Sequence, residues 1–449
     1  MVATRTGSII ETRLKEYPVE NVKGSLGFRV FGSSTETAFN YYFKSGFTGM
    51  NPVYLLSEVG DGYVVLEDPE KNLTKRVSLS SQDYEINILD SSKNGESGKS
   101  FAGLYRTAGR PLDLKSDVLS GGMMNNGSYL GVAISTDSAP YETTKLNQIE
   151  EGGVQNLSRS GWIAFVQKYF FAALLGSSDY IYNFYALPAE SGLYRMGYTV
   201  ENTSANSLVY EHEHRLYVGP KVRKDLMQKA DSLELSIEMG WFWFLAQPMV
   251  LAMDWINGYV GNWGLTIVIF TILIKLVFWP VTAKSFSSMA AMRKLTPELN
   301  EIKERYKDDP QKTQAETIKL FKKNGANPLG GCLPVLIQMP FFIGFFFALR
   351  EMVELRHSDF VIWTDLSVPD PYFIFPITFA ILMTLTQRLN PQPAGMDPTQ
   401  AQVMKYMPVI FSVFFVVMPA ALGLYMVVNT GIQLVQQAYM YKKSGALAD

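Results

Sequence analysis

One basic residue stands inside a long apolar run: Lys275, in Thr271-Ile272-Leu273-Ile274-Lys275-Leu276-Val277-Phe278. A charge near the centre of a membrane span costs about 2.5–3.5 kcal/mol on insertion scales, so a lysine there points to electrostatic work on a charged partner. The alternative is snorkelling, because Lys275 lies only five residues, roughly 8 Å of helix rise, before Pro280. Polar residues recur in and around the same kind of run. Thr271 is one turn before Lys275 on the same helical face. Gln338 interrupts a second apolar run; Asn429, Thr430 and Gln433 interrupt another, with 429 and 433 sharing a face. As a set they fit one wet groove. Singly, each fits an interhelical hydrogen bond worth about 0.6 kcal/mol. A different grouping is Glu211-His212-Glu213-His214. On a strand His212 and His214 share a face, which is half of a metal site. No third ligand is near, and the motif reads as an exposed strand end, so no metal is assigned. Carboxylates in the first half show no glycosidase spacing, and no Gly-x-x-x-x-Gly-Lys-Ser/Thr loop occurs. No catalytic residue and no cofactor is assigned, and the chain reads as a non-enzyme.

The elements that carry these residues come in two kinds. The 449 residues include 40 Lys+Arg and 42 Asp+Glu, a formal net charge of -2, which excludes a dominant nucleic-acid footprint. A single cysteine, Cys332, excludes an intrachain disulfide framework. Charged residues are 18% of the chain, below the ~25% of soluble domains. Mean hydropathy is nevertheless only +0.03, an average over unlike halves. Residues 1–237 hold 23 Lys+Arg against 27 Asp+Glu, and residues 238–449 hold 17 against 15.

The first half has short alternating runs bounded by turn residues, such as Gly60–Leu66, Gly192–Val200, and Ser207–Tyr210 leading into Arg215–Pro220. Many such strands predict a large sandwich or barrel. Residues 161–171 are apolar but too short to span a bilayer and are expected in its core. Residues 221–235 are expected to be helical and to link the halves. In the second half the aromatic stretch from Trp241, with Pro248, Asp254 and Asn257, fits an interfacial helix over 238–260. Five candidate spans follow, at about 264–281, 329–349, 372–389, 404–418 and 422–441. The fourth is short, about 22 Å of helix against ~30 Å of hydrocarbon, and would thin the bilayer locally. Loop 282–327 carries ten Lys+Arg against six acids, and loop 350–371 two against five. The positive-inside rule places 282–327 and the C-terminus in the cytoplasm and residues 1–237 outside. Leu295, Leu299, Ile302 and Tyr306 predict one helix of a hairpin in 282–327, broken at Pro310; Ile318, Leu320 and Phe321 predict the second. Met1–Gly7 lacks the apolar core of a signal peptide, although an outside domain needs an export signal. The expectation is a missing N-terminal signal anchor; the alternative is a reversed orientation.

The second half resembles the YidC family of membrane protein insertases. The resemblance rests on Gly261-Asn262-Trp263-Gly264, Trp279-Pro280-Val281-Thr282, Met289-Ala290-Ala291-Met292-Arg293 and the motif from Asn327 through Pro334. It continues through Leu336-Ile337-Gln338-Met339-Pro340, Val353-Glu354-Leu355-Arg356, Asp370-Pro371-Tyr372, Met407-Pro408-Val409-Ile410-Phe411 and Gln436-Gln437. Residues 1–160 more loosely resemble the periplasmic domain of Gram-negative members. The resemblance implies an α+β two-part membrane protein: a periplasmic β-super-sandwich, shaped like sugar-binding mutarotase-type folds, then a five-helix transmembrane core with a cytoplasmic helical hairpin. It implies an inner-membrane insertase that handles nascent membrane proteins in the lipid bilayer, alone or with the Sec translocon, with a hairpin at 282–327 that could meet the ribosome. Lys275 stands where the family normally has arginine; lysine keeps the charge but loses the planar fork. Tyr425 and Met426 match family positions that face the passing substrate; packing is the alternative.

Overall fold

A computed structural model of the chain describes residues 1–34, 39–80, 83–93, 99–108, 131–201, 209–307, 309–324, 333–390 and 398–446. Residues 207–208 of one expected strand, the start of the second candidate span at 329, and positions 327–332 of the Asn327 motif with Cys332 lie outside them. The chain divides into two compact units, Met1–Glu238 with Glu351–Val353, and Met239–Arg350 with Glu354–Asp449.

Among the described residues the first unit is built on two antiparallel sheets. A seven-stranded sheet runs, edge to edge, Thr12–Pro18, Gly27–Ser34, Phe39–Phe47, Ser100–Thr107, Leu193–Val200, Tyr182–Pro188 and Val154–Ser158. A nine-stranded sheet runs Glu142–Lys145, Gly131–Ser135, Trp162–Val166, Phe170–Leu175, Tyr210–Pro220, Glu85–Ser92, Leu73–Leu79, Tyr63–Asp68 and Leu55–Gly60. Phe31, Tyr41, Phe43 and Leu104 from the first meet Ile88, Ile163, Phe165 and Leu216 from the second in one core. The apolar run at 161–171 is interior except at the half-buried Gly161 and Lys168, and it splits into parts of two paired strands, Trp162–Val166 and Phe170–Leu175. Successive side chains point to opposite faces and both faces are covered, which explains why it shows no polar alternation. Ile163 and Phe165 face the inter-sheet core, while Trp162, Ala164 and Val166 face a second cluster under Leu226 and Leu233. Those two leucines belong to the helix Arg223–Lys229 and the 3-10 turn Leu233–Ser236, within the stretch expected to be helical. The first strand forms from Thr12; before it, Ile9 makes isolated bridges to Val2 and Phe43.

The second unit is helical. In chain order its helices are α1 (Trp243–Val260), α2 (Trp263–Val277), α3 (Trp279–Lys294), α4 (Thr296–Arg305), α5 (Pro310–Lys323), α6 (Leu333–Glu351), α7 (Ile374–Leu389), α8 (Pro398–Val416) and α9 (Ala420–Lys443). Helix α1 buries Ala246, Met249, Val250, Met253 and Ile256 and exposes Trp243, Trp255 and Tyr259, the two faces of an amphipathic helix. The first candidate span is not one helix. It breaks at Phe278, and α2 and α3 meet at a 66° bend. Pro280 explains the break: it lacks an N–H and its ring crowds the Leu276 carbonyl, so it opens a new helix instead of continuing the old one. Pro310 acts in the same way, opening α5 behind the Asp309 cap. The fourth candidate span lies in a helix that starts six residues earlier, at Pro398. Among the described residues no single helix is long and apolar enough to cross a membrane; α2 and α3 together meet that length and composition.

Candidate functional site

The last turn of α2 carries Lys275, which is 6% exposed within the protein. Its Nζ donates to Gln338 Oε1 of α6 at 3.3 Å. Gln338 Nε2 in turn donates to Asn429 Oδ1 of α9 at 2.5 Å. Gln338 also hydrogen-bonds the hydroxyl of Tyr425, one turn before Asn429. Four of the candidate residues therefore form one seam across three helices. Tyr425 is held by aromatic packing as well, its ring centroid 4.5 Å from that of Phe345. Among the described residues no carboxylate lies within ion-pair distance of Lys275. A buried ammonium held by one neutral amide oxygen is poorly compensated.

The other three candidates stand apart from this hydrogen-bonded seam. Thr271 is buried, and its Oγ1 donates 2.6 Å back to the Ile267 carbonyl of its own helix. Met426 and Gln433 on α9 are half-buried beside the seam.

A polar contact that the sequence reading left without chemistry lies further along α9. Gln436 is 1% exposed, and its Nε2 approaches Thr282 Oγ1 at 2.7 Å and the Trp279 carbonyl at 3.3 Å. Both partners sit at the α2–α3 break. The signal was present: 429, 433 and 436 follow the 4 and 3 spacing of one helical face. Gln437 beside it donates to Asn390 Oδ1 at 2.7 Å, just past the end of α7.

The His212–His214 pair is not at an exposed strand end. Both histidines point into the inter-sheet core, 4% and 0% exposed, while Glu211 and Glu213 point out. His214 Nδ1 meets Tyr198 Oη at 3.0 Å, and Nε2 meets Ser100 Oγ at 3.1 Å and Asp90 Oδ2 at 3.4 Å. Asp90 also takes Lys75 Nζ at 2.8 Å and the Ser45 hydroxyl at 2.6 Å. Burial opposes the Asp90 charge, but Lys75 and His214 hold its carboxyl below the usual range. The run reads as polar in sequence because alternate residues face opposite ways, and only the neighbours in other strands reveal that the histidine face is the inner one.

Comparison with known proteins accounts for both units. Residues 1–252 match the family model described as YidC periplasmic domain, and residues 255–446 match the model described as 60Kd inner membrane protein. A membrane protein insertase YidC of Hahella chejuensis is 36% identical over 98% of this chain and 81% of its own length. One of Pseudomonas putida is 37% identical over 97% of this chain and 81% of its own length. A solved structure titled as an active YidC insertase aligns over 87% of this chain and 84% of that one, at 22% identity and a TM-score of 0.42, too loosely to add to the argument. The model matches and the identity over nearly the whole chain are decisive together: the chain belongs to the YidC family of membrane protein insertases.

Proposed function

We propose that the chain moves apolar segments of newly made membrane proteins into the bacterial inner membrane, through a polar groove centred on Lys275, Gln338 and Asn429. Thr271, Tyr425, Met426 and Gln433 line its wall. The observation that carries this reading is the Lys275 ammonium, buried against an amide oxygen with no carboxylate beside it among the described residues. An acidic group near the leading end of a substrate supplies the missing partner. Its attraction is strong because the surroundings are apolar. The apolar segment then leaves sideways into lipid, gaining ~0.8 kcal/mol per buried CH₂. No bond is made or broken and no nucleotide is consumed, so the protein acts as an insertase and chaperone and not as an enzyme. In this reading 1–237 is periplasmic, 238–260 lies in the interface, and 261–449 is the five-span core. The hairpin within 282–327 and the C-terminus are cytoplasmic. The hairpin is the part available to a ribosome, and the chain works alone or beside the Sec translocon.

The test is insertion of a short, single-span, acidic-tailed protein into liposomes containing this chain, read by protease protection. Protection that requires the chain, fails with Lys275→Ala and returns with Lys275→Arg is the expected result. Normal protection with Lys275→Ala or with the charge-reversed Lys275→Glu would remove Lys275 from the mechanism. No protection above empty liposomes, with the protein shown to be folded, would count against unaided insertion.

A further inference from the structure

We infer that Gln436 is a positioning residue: it straps the α2–α3 break to α9 and so sets where Lys275 stands. Proline 280 removes a backbone donor at the break, leaving a joint that the helix ladder alone does not fix. Two side chains service that joint. The Thr282 hydroxyl lies 3.0 Å from the Phe278 carbonyl and 3.1 Å from that of Trp279. Gln436 Nε2 donates to Thr282 Oγ1 at 2.7 Å and reaches the Trp279 carbonyl at 3.3 Å. Thr282 Oγ1 also lies 3.1 Å from Gln436 Oε1; a hydroxyl has one proton and two lone pairs, so it accepts from Gln436 Nε2 and donates either to a carbonyl of the break or back to the same amide. The amide is thereby committed to the joint.

Lys275 is three residues before Phe278 in the final turn of α2, so its direction follows from how that turn ends. Asn429 and Gln436 lie on one face of α9, seven residues or about 10.5 Å apart. The first holds Lys275 through Gln338, and the second holds the break beyond it. One helix thus fixes the lysine from both sides. This rests on the groove reading above for its consequence, but not for the bend itself.

The experiment places spin labels at the exposed positions Leu265 on α2 and Ser287 on α3, in a Cys332→Ala background of the full chain in liposomes. Gln436→Leu keeps the volume and removes the amide; Thr282→Val removes the same bond from the other side and serves if the first variant folds poorly. Both are expected to shift or broaden the interlabel distance distribution. Insertion of the acidic-tailed substrate is expected to fall about threefold, the scale of one interhelical hydrogen bond in a membrane. A substrate with a neutral tail is expected to be spared, and Lys275→Ala/Gln436→Leu is expected to insert no worse than Lys275→Ala. An unchanged distance distribution in both variants overturns the strap. A changed distribution with unchanged insertion, or equal losses for acidic and neutral tails, overturns positioning of Lys275. If Lys275→Ala alone inserts normally, the groove reading falls, and the distance measurement still decides whether Gln436 holds the bend.

Discussion

Among the described residues Lys75, Lys221 and Lys275 are held out of water, and the surroundings of Lys75 and Lys275 separate their roles. Lys75 is 0% exposed and fully engaged: its Nζ meets Asp90 at 2.8 Å, Ser45 Oγ at 2.6 Å and the Ser45 carbonyl at 3.0 Å. Every proton of the ammonium has an acceptor. Lys275 has one acceptor among the described residues, an amide oxygen at 3.3 Å. The first is a finished structural pair, and the second is open to a partner from outside. This difference predicts opposite stability effects. Lys75→Met leaves Asp90 charged and unpaired in the core and should cost about 3–5 kcal/mol. Lys275→Met removes an uncompensated buried charge and should leave stability unchanged or slightly raised, while insertion of acidic-tailed substrates falls. Denaturant titrations of the two variants in the same detergent decide it. A Lys275→Met protein as destabilised as Lys75→Met would make both lysines structural.

At the scale of elements, several family-like motifs turn out to be helix ends. In Gly261-Asn262-Trp263-Gly264, Gly261 ends α1 at φ +65°, a conformation that favours glycine. Asn262 begins α2, its side chain accepting from the Leu265 amide at 2.9 Å. A Cβ at Gly264 would lie 2.2 Å from the Phe360 ring, so that glycine is required by close packing. In Asp370-Pro371-Tyr372 the carboxylate accepts from Trp363 Nε1 at 2.7 Å and from the Tyr372 and Phe375 amides at 3.0 and 2.8 Å. Asn262→Ala should therefore cost ~1 kcal/mol, the usual loss of a cap. Asp370→Ala should cost more, because it strands three donors, one of them a buried indole N–H. Faster hydrogen exchange at Phe375 and its neighbours in Asp370→Ala, beyond any change around Leu265 in Asn262→Ala, is the expected pattern; equal changes would reduce Asp370 to an ordinary cap. These motifs were legible in sequence as patterns but not as caps. The break at Phe278 was read as continuous because apolar character persists through Trp279 and Val281, and hydropathy does not register a lost N–H. The seam residues Lys275, Gln338, Asn429 and Tyr425 were legible singly, because polar groups in apolar runs stand out. That they meet depended on helix rotation, which no local pattern encodes.

At the scale of the whole molecule, the division into a turn-rich β half and an apolar helical half was legible from charge and composition, and the family models meet between 252 and 255. The strand order was not, because neighbours such as Glu85–Ser92 and Tyr210–Pro220 are more than a hundred residues apart. The same long-range pairing hides the burial of the histidines, and it gives the β unit an acid sensitivity. Burial pushes His212 down to about 3, with His214 adding to the effect, and burial likewise lowers His214 against the pull of Asp90. In the unfolded chain both titrate near 6.5. Above that pH both states are neutral, and the histidines give no slope. As pH falls from about 6.5 towards 3, the unfolded chain binds protons that the fold excludes, so stability declines by ~1.4 kcal/mol per pH unit for each excluded proton. His212 is the removable half. Its Nε2 has no hydrogen-bond partner among the described residues, whereas His214 is bonded through both nitrogens. His212→Phe should therefore fold normally at pH 7, lose the His212 share of the slope, and be more stable than the parent at pH 5. Hydrogen exchange of the full chain in detergent, read at strand Tyr210–Pro220 and corrected for the intrinsic rate, measures this directly. If parent and variant lose protection equally between pH 7 and pH 5, the acid sensitivity comes from groups other than the histidine pair, with the Asp90 cluster the next to test.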